Sequence, residues 1–425
     1  MRKLALFLIC LLLSGCQAVT FSVDSLLSAP NIADEQSAIY NALIESAGRG
    51  ITLVYPKNGD FRSAFILKDL DGDGSEEAIA FYSVNAVADS SAKAAVLDRG
   101  SDGDWYAMYE LAGEGSSVDK VMFCGEDMIV GYSSREYEDS VVCLYRYTNG
   151  VLELGYANFY TVLEMRDIDG CGEDEIIVVS RSGYGVSLDV LKSGGSEYQS
   201  YVMGIDAGEP SVASCSFGQL DGKTAMYLDL PLEGGGIFTE VVVLGNRGLS
   251  CPISENGLRV QTQRPAGYLS CDYDGDGVVE IPVVSAFRGY ESAEWNDAEH
   301  LATMLSFDPS DGELKAKSSA YYNAADGYIF TIPNRWLNMV TVMKNAATGE
   351  VTFYRFDPEK GDIADMTPLV SFVRSQTGDS VYPSQGYTEI SGSETAAYYY
   401  RTEAEAGEPL VLTADEIINN FHIIA

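Results

Sequence analysis

The sequence predicts an all-β fold built from a repeated unit of several short strands. Runs rich in β-branched and aromatic residues, such as EIIVVS at 175–180, alternate with Gly, Asn and Asp. The 27 tyrosines and 42 glycines of the 425-residue chain suit strands and tight turns. An acidic loop first seen at 67–82 recurs at 166–180 and 271–285. A unit that recurs in this way predicts a β-propeller, in which sheets repeat around a ring.

The repeat period is about 50 residues. The aspartates that precede glycine in the four copies are Asp71, Asp169, Asp221 and Asp274, and the last two steps are 52 and 53 residues. The first step of 98 residues divides in two if the remnant FCGEDMIVGYSS at 123–134 counts as a unit. We therefore expect about seven blades. We also expect the ITLVY run at 51–55 to pair with the last unit, since ring closure removes exposed sheet edges.

The N-terminal residues predict a secretory signal. Arg2 and Lys3 precede an apolar run at 4–13, which as a helix spans about 15 Å, half of a bilayer core. The LSGC that follows resembles the bacterial lipoprotein signal, in which cleavage leaves Cys16 as a lipid-modified first residue; an ordinary signal cut nearby is the alternative. The predicted segments are a signal peptide at 1–15, a tether and helix at 16–50, and the propeller at 51–425. We expect one helix at about 33–47 and a short one at about 413–421.

The charge of the chain excludes one class of partner. Lysine and arginine number 27 against 63 acids, a formal net charge of −36, whereas nucleic acid requires a basic surface. We expect a protein on the outer face of the bacterial cytoplasmic membrane, in contact with the membrane through its lipid anchor alone.

Six cysteines lie beyond the signal, without a Cys-x-x-Cys pair, and only two histidines accompany them, so a zinc site is not expected. Disulfides and free thiols are both open.

The acidic loops predict calcium sites. The pattern is Asp-x-Asp-x-Asp-Gly-x-x-Glu, and its carboxylates are Asp69, Asp71, Asp73 and Glu77 in the first copy and Asp272, Asp274, Asp276 and Glu280 in the third. Alternating carboxylates on a tight loop point inward, and Ca²⁺ prefers six to eight oxygen ligands. An EF-hand needs glutamate at the twelfth position, where the copies have Ala80, Val178 and Val283. These loops are therefore not EF-hands.

The copies resemble the FG-GAP or VCBS-type repeats of integrin α-subunit propellers and of many bacterial surface proteins. Phe217-Gly218 keeps the name-giving pair, although the later Gly-Ala-Pro element is missing. The resemblance is specific in three loops and loose in two. After about residue 320 it rests on the strand pattern alone. It implies that the seventh loop residue supplies a backbone carbonyl to the metal, here from Ser75 and Val278. With its signal and helix, the chain is similar to lipoproteins of Gram-positive gut bacteria.

Two copies depart from the pattern. The second keeps Asp167, Asp169 and Glu175, but Cys171 replaces the fifth-position acid, and a thiol is a poor calcium ligand. Either Glu173 or Asp174 could compensate, so we expect a weaker site. In the fourth copy Gln219, Asp221 and Lys223 take the three acidic positions, and the lysine predicts a loop without a metal. For the first and third copies, the alternatives are a solvated turn without metal and catalysis by paired carboxylates. Recurrence in separate units and local repulsion between the acids favour calcium.

We interpret the chain as a surface-anchored binding or scaffold module without chemistry of its own, for an extracellular glycan or protein. The alternative is an extracellular polysaccharide lyase or hydrolase on a propeller scaffold. The sequence has neither Gly-x-Ser-x-Gly nor His-Glu-x-x-His, and its two histidines leave little material for a catalytic triad. Lyases that work with Arg, Lys and Tyr remain possible.

The hairpin loops beyond the acidic loops predict a ligand face. They carry arginines beside aromatic residues: Arg135 with Tyr137, Arg181 with Tyr184, Arg288 with Tyr290 and Trp295, and Arg335 with Trp336. Arginine binds carboxylates through two hydrogen bonds, and aromatic rings stack on sugars or cations. This pattern predicts one concave site for an acidic glycan or peptide. The alternative is a set of ordinary solvated hairpin tips.

Overall fold

Antiparallel sheets make up nearly all of the structure. The computed structural model describes residues 34–84, 91–133, 139–195, 197–392, 395–404 and 407–424. The chain divides into two compact units, Met1–Glu136 with Leu144–Gly155, and Tyr137–Cys143 with Tyr156–Ala425. The prediction of a nearly all-β chain is confirmed. In the described ranges, no helix is both long and apolar enough to cross a membrane.

The first two sheets follow one another along the chain. The first sheet is preceded by helix α1 (Asp34–Ala47) and contains β1 (Ile51–Leu53), β2 (Phe65–Lys68), β3 (Glu77–Val84), β4 (Lys93–Arg99) and β5 (Trp105–Ala112). The second contains β6 (Ser117–Cys124), β7 (Asp127–Ser133), β8 (Ser140–Thr148) and β9 (Val151–Tyr160), in that order.

Strand β1 corrects one expectation from the sequence. It pairs with β3 of the first sheet, Ile51 opposite Val84, and not with the last unit. Strand β2 covers only the first half of the same edge of β3, with Phe65 opposite Ala80, and β4 pairs with the other edge. Because β2 is half as long as β3, it leaves room on that edge for β1. The ITLVY run therefore completes its own sheet.

Helix α1 packs against the first sheet. Ile39 and Leu43 are fully buried and share a core with Leu97 and Trp105. Their spacing of four residues places both side chains on one face of the helix. The prediction of a helix at about 33–47 is confirmed.

The remaining elements form four sheets. The third and fourth sheets contain β10 (Val162–Arg166), β11 (Glu175–Ser182), β12 (Gly185–Ser193), β13 (Tyr198–Asp206), and then β14 (Ser214–Leu220), β15 (Lys223–Pro231), β16 (Ile237–Gly245) and β17 (Gly248–Ser250). After helix α2 (Pro252–Glu255), the fifth contains β18 (Ile281–Ala286), β19 (His300–Asp308), β20 (Glu313–Asn323) and β21 (Tyr328–Thr331). The sixth contains β22 (Val340–Lys344), β23 (Val351–Arg355), β24 (Thr367–Gln376), β25 (Thr388–Gly392) and β26 (Ala396–Thr402), with α3 (Val381–Ser384) between β24 and β25. Helix α4 (Ala414–Asn419) and strand β27 (Phe421–Ile423) follow.

The strand orders show why the structure has fewer sheets than the repeat period predicts. The third and fourth sheets keep chain order, whereas the fifth adds β27 beside β21 and the sixth has the order β22-β23-β24-β26-β25. Two five-stranded sheets at the end of the chain take up more residues than a period of about 50 allows. The described residues form six sheets, so the prediction of about seven blades is not confirmed. A closed propeller stays a prediction.

The C-terminal segment is held by helix α4, by the pairing of β27 with β21, and by aromatic contacts of Phe421 and His422. Thr413 and Glu416 cap α4 reciprocally, which stabilises its start. Phe421 then stacks on Tyr328 with ring centroids 4.8 Å apart. The short helix predicted at about 413–421 is thus present at Ala414–Asn419, and the residues after it form a strand.

Candidate functional site

The first acidic loop folds around the carboxylate of Asp69. This carboxylate accepts hydrogen bonds from the backbone N–H groups of Gly72 (2.8 Å) and Gly74 (3.1 Å). Both glycines have positive φ, 76° and 90°, which favours residues without a Cβ. The turn brings one oxygen each of Asp69, Asp71 and Glu77 within 4.8 Å of one another. Three predicted ligands of the first loop therefore converge.

Glu77 supplies the buried side of this cluster. Its side chain is 1% exposed and accepts a hydrogen bond of 2.7 Å from the N–H of Leu70. Burial and the nearby charges of Asp71, Asp98 and Asp69 raise the pKa of Glu77 to about 7, although the hydrogen bond lowers it. Asp98 lies across from Glu77, beside the Ala78–Leu97 pair of β3 and β4. Three carboxylates thus converge, and Asp98 lies near enough to raise the pKa of Glu77.

No lysine or arginine among the described residues forms an ion pair with these four carboxylates. Hard oxygen donors with uncompensated negative charge suit a divalent cation such as Ca²⁺. The donor set of the first loop therefore fits calcium, with Asp69, Asp71 and Glu77 as the residues that could hold it.

The fifth and seventh loop positions are arranged alike in the first and third copies. The N–H of Ser75 donates to Asp73 at 2.7 Å, and the N–H of Val278 donates to Asp276 at 2.9 Å. Asp73 is not part of the convergent cluster of the first loop, whereas Asp276 belongs to that of the third.

The third loop contains a lysine among its carboxylates. Asp272, Asp274 and Asp276 converge, and the ammonium of Lys317 lies 3.0 Å from Asp274, 2.7 Å from Asp276 and 2.5 Å from Glu280. Burial raises the pKa of the fully buried Glu280 to about 7, although Lys317 lowers it. The carboxylates of this loop are therefore already partly neutralised, so its fit to a cation is poorer than that of the first loop.

A bulge in β20 explains the position of Lys317. Met304 pairs with Ser318 and Leu305 pairs with Ala316, so Lys317 is an extra residue without its own partner on β19. Bulges redirect side chains in this way. The sequence pattern contains no signal for such a bulge, and Lys317 was not predicted as part of the loop.

The second loop also contains a lysine. Asp167, Asp169 and Cys171 converge, and Lys192 bonds to Asp169 and lies 3.6 Å from Glu175. Neither Glu173 nor Asp174 belongs to this cluster. Lys192 lies across from Glu175, beside the Ile176–Leu191 pair, where the first sheet has Asp98. The lysine and the thiol make this loop a poorer fit to calcium than the first loop, and a weaker calcium site stays a prediction.

The fourth copy is reduced to a hairpin. Leu220 pairs with Lys223, so only Asp221 and Gly222 form the turn. Their φ values of 52° and 76° are those of a type I′ turn. Within the described residues, Asp221 belongs to no convergent acidic cluster.

Most of the predicted ligand face is used for packing. Trp336 is fully buried and its Nε1 donates to the carbonyl of Leu410 at 2.7 Å, so its predicted stacking on a ligand is wrong. Arg335 pairs with Glu416 of α4 at 2.5 Å and 2.8 Å. Cys16, Arg135 and Tyr137 lie outside the described residues.

The loop that joins β18 to β19 retains an exposed aromatic ring. Trp295 is 44% exposed and stacks on His300, with ring centroids 3.8 Å apart and planes at 29°. In the same loop, the guanidinium of Arg288 lies over the ring of Phe356, and Tyr290 donates to the carbonyl of Val342 at 2.9 Å. Tyr290 is therefore a structural residue.

His300 supports Trp295 from the interior. Its side chain is buried, and burial lowers its pKa, so the imidazole is neutral at neutral pH. Its Nδ1 lies 3.4 Å from the hydroxyl of Tyr268. Its Nε2 has no hydrogen-bond partner in the described part of the chain.

The hairpin between β11 and β12 carries the other two predicted ligand residues. Arg181 pairs with Asp139 at 2.7 Å, whereas Tyr184 is 85% exposed. Among the predicted aromatic residues that the structure describes, Tyr184 and Trp295 are exposed, and of these two Trp295 is stacked on a second ring.

No protein-family profile matches the chain, and no curated protein matches it in sequence. Solved structures match at low identity. A 6-phosphogluconolactonase homologue from Bacteroides uniformis is 11% identical over 74% of this chain and 94% of its own, with a TM-score of 0.31. The exotype rhamnogalacturonan lyase YesX is 14% identical over 81% of this chain and 63% of its own, with a TM-score of 0.24. The Pseudomonas aeruginosa periplasmic gluconolactonase PpgL is 13% identical over 67% and 93%, with a TM-score of 0.26. At these TM-scores the likenesses carry no argument about the activity of this chain.

Proposed function

We propose that this protein is a non-catalytic binding module for an extracellular glycan, stabilised by calcium and tethered to the outer face of the bacterial cytoplasmic membrane. The proposal also includes the fold, a closed propeller with repeats of FG-GAP or VCBS type. The observation that carries the binding function is the exposed face of Trp295.

Trp295 has the two properties of a sugar-binding platform. One face of its indole lies on His300, which fixes the ring, and nearly half of the side chain is open to solvent. A large apolar ring left exposed costs hydration free energy, and rings held rigid lose little entropy on binding. Arg288 in the same loop is exposed; its guanidinium lies over Phe356 and donates to the carbonyl of Asn338 at 3.2 Å, and its other N–H groups can bind a carboxylate. A glycan that contains uronic acid matches both groups.

We expect Trp295→Ala to weaken glycan binding by tenfold or more, because stacking on the indole is lost. Titration of the purified protein against a panel of neutral and uronic-acid glycans measures this effect. Phe159→Ala is the matched control, since Phe159 is 53% exposed in another sheet. Equal binding by wild type and the Trp295 variant, at unchanged melting temperature, would remove the proposed site.

The neutral His300 supports a second candidate, a polysaccharide lyase. The Nε2 of His300 has no partner in the described structure, but it is buried beside the ring of Trp295, so it can accept a proton from a uronate, the step that begins β-elimination, only if Trp295 moves aside. The same glycan panel separates the two functions. Unsaturated uronates formed by wild type and absent with His300→Gln mean a lyase, whereas retention without turnover means a binding module.

Cys16 carries the proposed anchor. Lipoprotein modification provides at least two acyl chains, the number that stable anchoring requires. We expect Cys16→Ala to move the protein from the membrane fraction to the medium, or to stop its processing. Immunoblots of the two fractions measure this, with Cys10→Ala as the control inside the apolar run. Membrane-bound, processed protein in the Cys16 variant contradicts the anchor.

A further inference from the structure

A cavity of about 470 Å³ lies beside the shortened hairpin of the fourth acidic copy. Its walls are largely apolar and include Ile168, Leu220, Val243, Leu244 and Phe307. Small-molecule sites are concave, mostly apolar and about 300–1,000 Å³ in volume. The cavity thus has the size and the lining of a ligand site.

The charged residues at this cavity belong to the fourth acidic copy, whose sequence differs from the repeat pattern. Lys223 takes the place of the fifth-position acid, and both Lys223 and Asp221 line the cavity. The stem of Lys223 passes over Gly170, where a Cβ would lie 3.4 Å from Cγ of the lysine. This is an ordinary van der Waals distance, so the stem of Lys223 packs against the turn of the second acidic loop.

The amino group of Lys223 is available to a ligand. Lys223 is exposed, and no carboxylate of the described residues forms an ion pair with it. Asp311, a further lining residue, already pairs with Lys315 at 2.5 Å. Asp221 is exposed at the tip of the turn and opposes a bound anion. An unpaired ammonium beside apolar walls is complementary to a carboxylate on an apolar body.

We propose that this cavity binds a small molecule with an apolar body and one carboxylate, and that Lys223 contacts the carboxylate. The site is independent of Trp295 and of the glycan function. The fifth loop position is Asp73 in the first copy and Asp276 in the third, and here it is a lysine that provides the positive charge of an anion site.

Three probes with one straight chain and different head groups test the proposal: octanoate, octan-1-ol and octylammonium. We expect octanoate to bind most tightly in calorimetric titration of the full chain. Lys223→Met should weaken octanoate binding about tenfold, since a hydrogen bond to a charged group is lost, and should leave octan-1-ol unchanged. Asp221→Asn should strengthen octanoate binding, because a repelling charge is removed.

Lys360→Met is the matched control, because Lys360 is also exposed and does not line the cavity. It should leave octanoate binding unchanged, and all three variants should keep the melting temperature of wild type. The proposal is overturned if octanoate does not bind, if octylammonium binds more tightly, or if Lys223→Met binds octanoate as wild type does.

Discussion

Removal of calcium should lower the melting temperature of the protein through the first acidic loop. A ligand that binds only the folded state stabilises it by about 2.7 kcal/mol when its free concentration is a hundred times its Kd. Three carboxylates of the first loop converge, with Asp98 of β4 nearby and without a described cation partner, so their repulsion opposes folding once the ion is lost. Differential scanning calorimetry with and without EDTA measures the shift.

Asp71→Ala and Asp274→Ala form a matched pair for this prediction. Asp71→Ala should abolish most of the response to EDTA, because it removes a ligand of the loop that fits calcium best. Asp274→Ala should leave most of the response, since Lys317 already lies 3.0 Å from that carboxylate. Lys317→Met should then add a calcium-dependent component, because it frees the third carboxylate cluster.

Two outcomes contradict this assignment. A melting curve that EDTA does not change shows that calcium does not stabilise the protein. An equal loss of response in Asp71→Ala and Asp274→Ala shows that Lys317 does not compete with the ion, and that the first and third loops are equivalent calcium sites.

The acidic loops were predictable because their information is local. Glycines at fixed offsets allow the positive φ values of the turn, and the carboxylate of Asp69 then folds back onto the loop's own N–H groups. The lysines of the second and third loops come from distant strands. Lys192 follows from the register of β11 and β12, and Lys317 depends on a bulge, so neither is visible in the loop pattern.

The predicted ligand face also depended on tertiary packing that the local sequence pattern does not show. Arginine beside an aromatic residue at a strand end is a weak pattern, because tertiary packing decides which rings are exposed. Trp336 enters the aromatic core that Phe330 and Phe353 line, whereas Trp295 stays at the surface. The sequence does not separate the two, since each tryptophan follows a strand within a polar loop.

Arg264→Met should destabilise the second unit by about 3–5 kcal/mol, the largest effect that we expect from a single substitution. The guanidinium is fully buried and lies 2.6 Å from Asp229, which is also buried. It donates as well to the hydroxyls of Thr239 and Ser270, at 2.8 Å and 2.9 Å. The variant leaves the Asp229 carboxylate buried without its charge partner. Urea denaturation measures the change in the free energy of unfolding.

Two further variants show whether this loss belongs to the buried pair. Arg355→Met is the control, since Arg355 is about half exposed and pairs with Glu408 at 3.3 Å, so it should cost about 1 kcal/mol or less. Arg264→Met combined with Asp229→Asn should recover part of the loss, because an amide buried without a cation costs less than a carboxylate. If the double variant is no more stable than Arg264→Met, the cost lies in the lost hydrogen bonds to Thr239, Ser270 and the backbone. The guanidinium then acts chiefly as a five-donor clamp on the segment before the third acidic loop, and its charge is incidental.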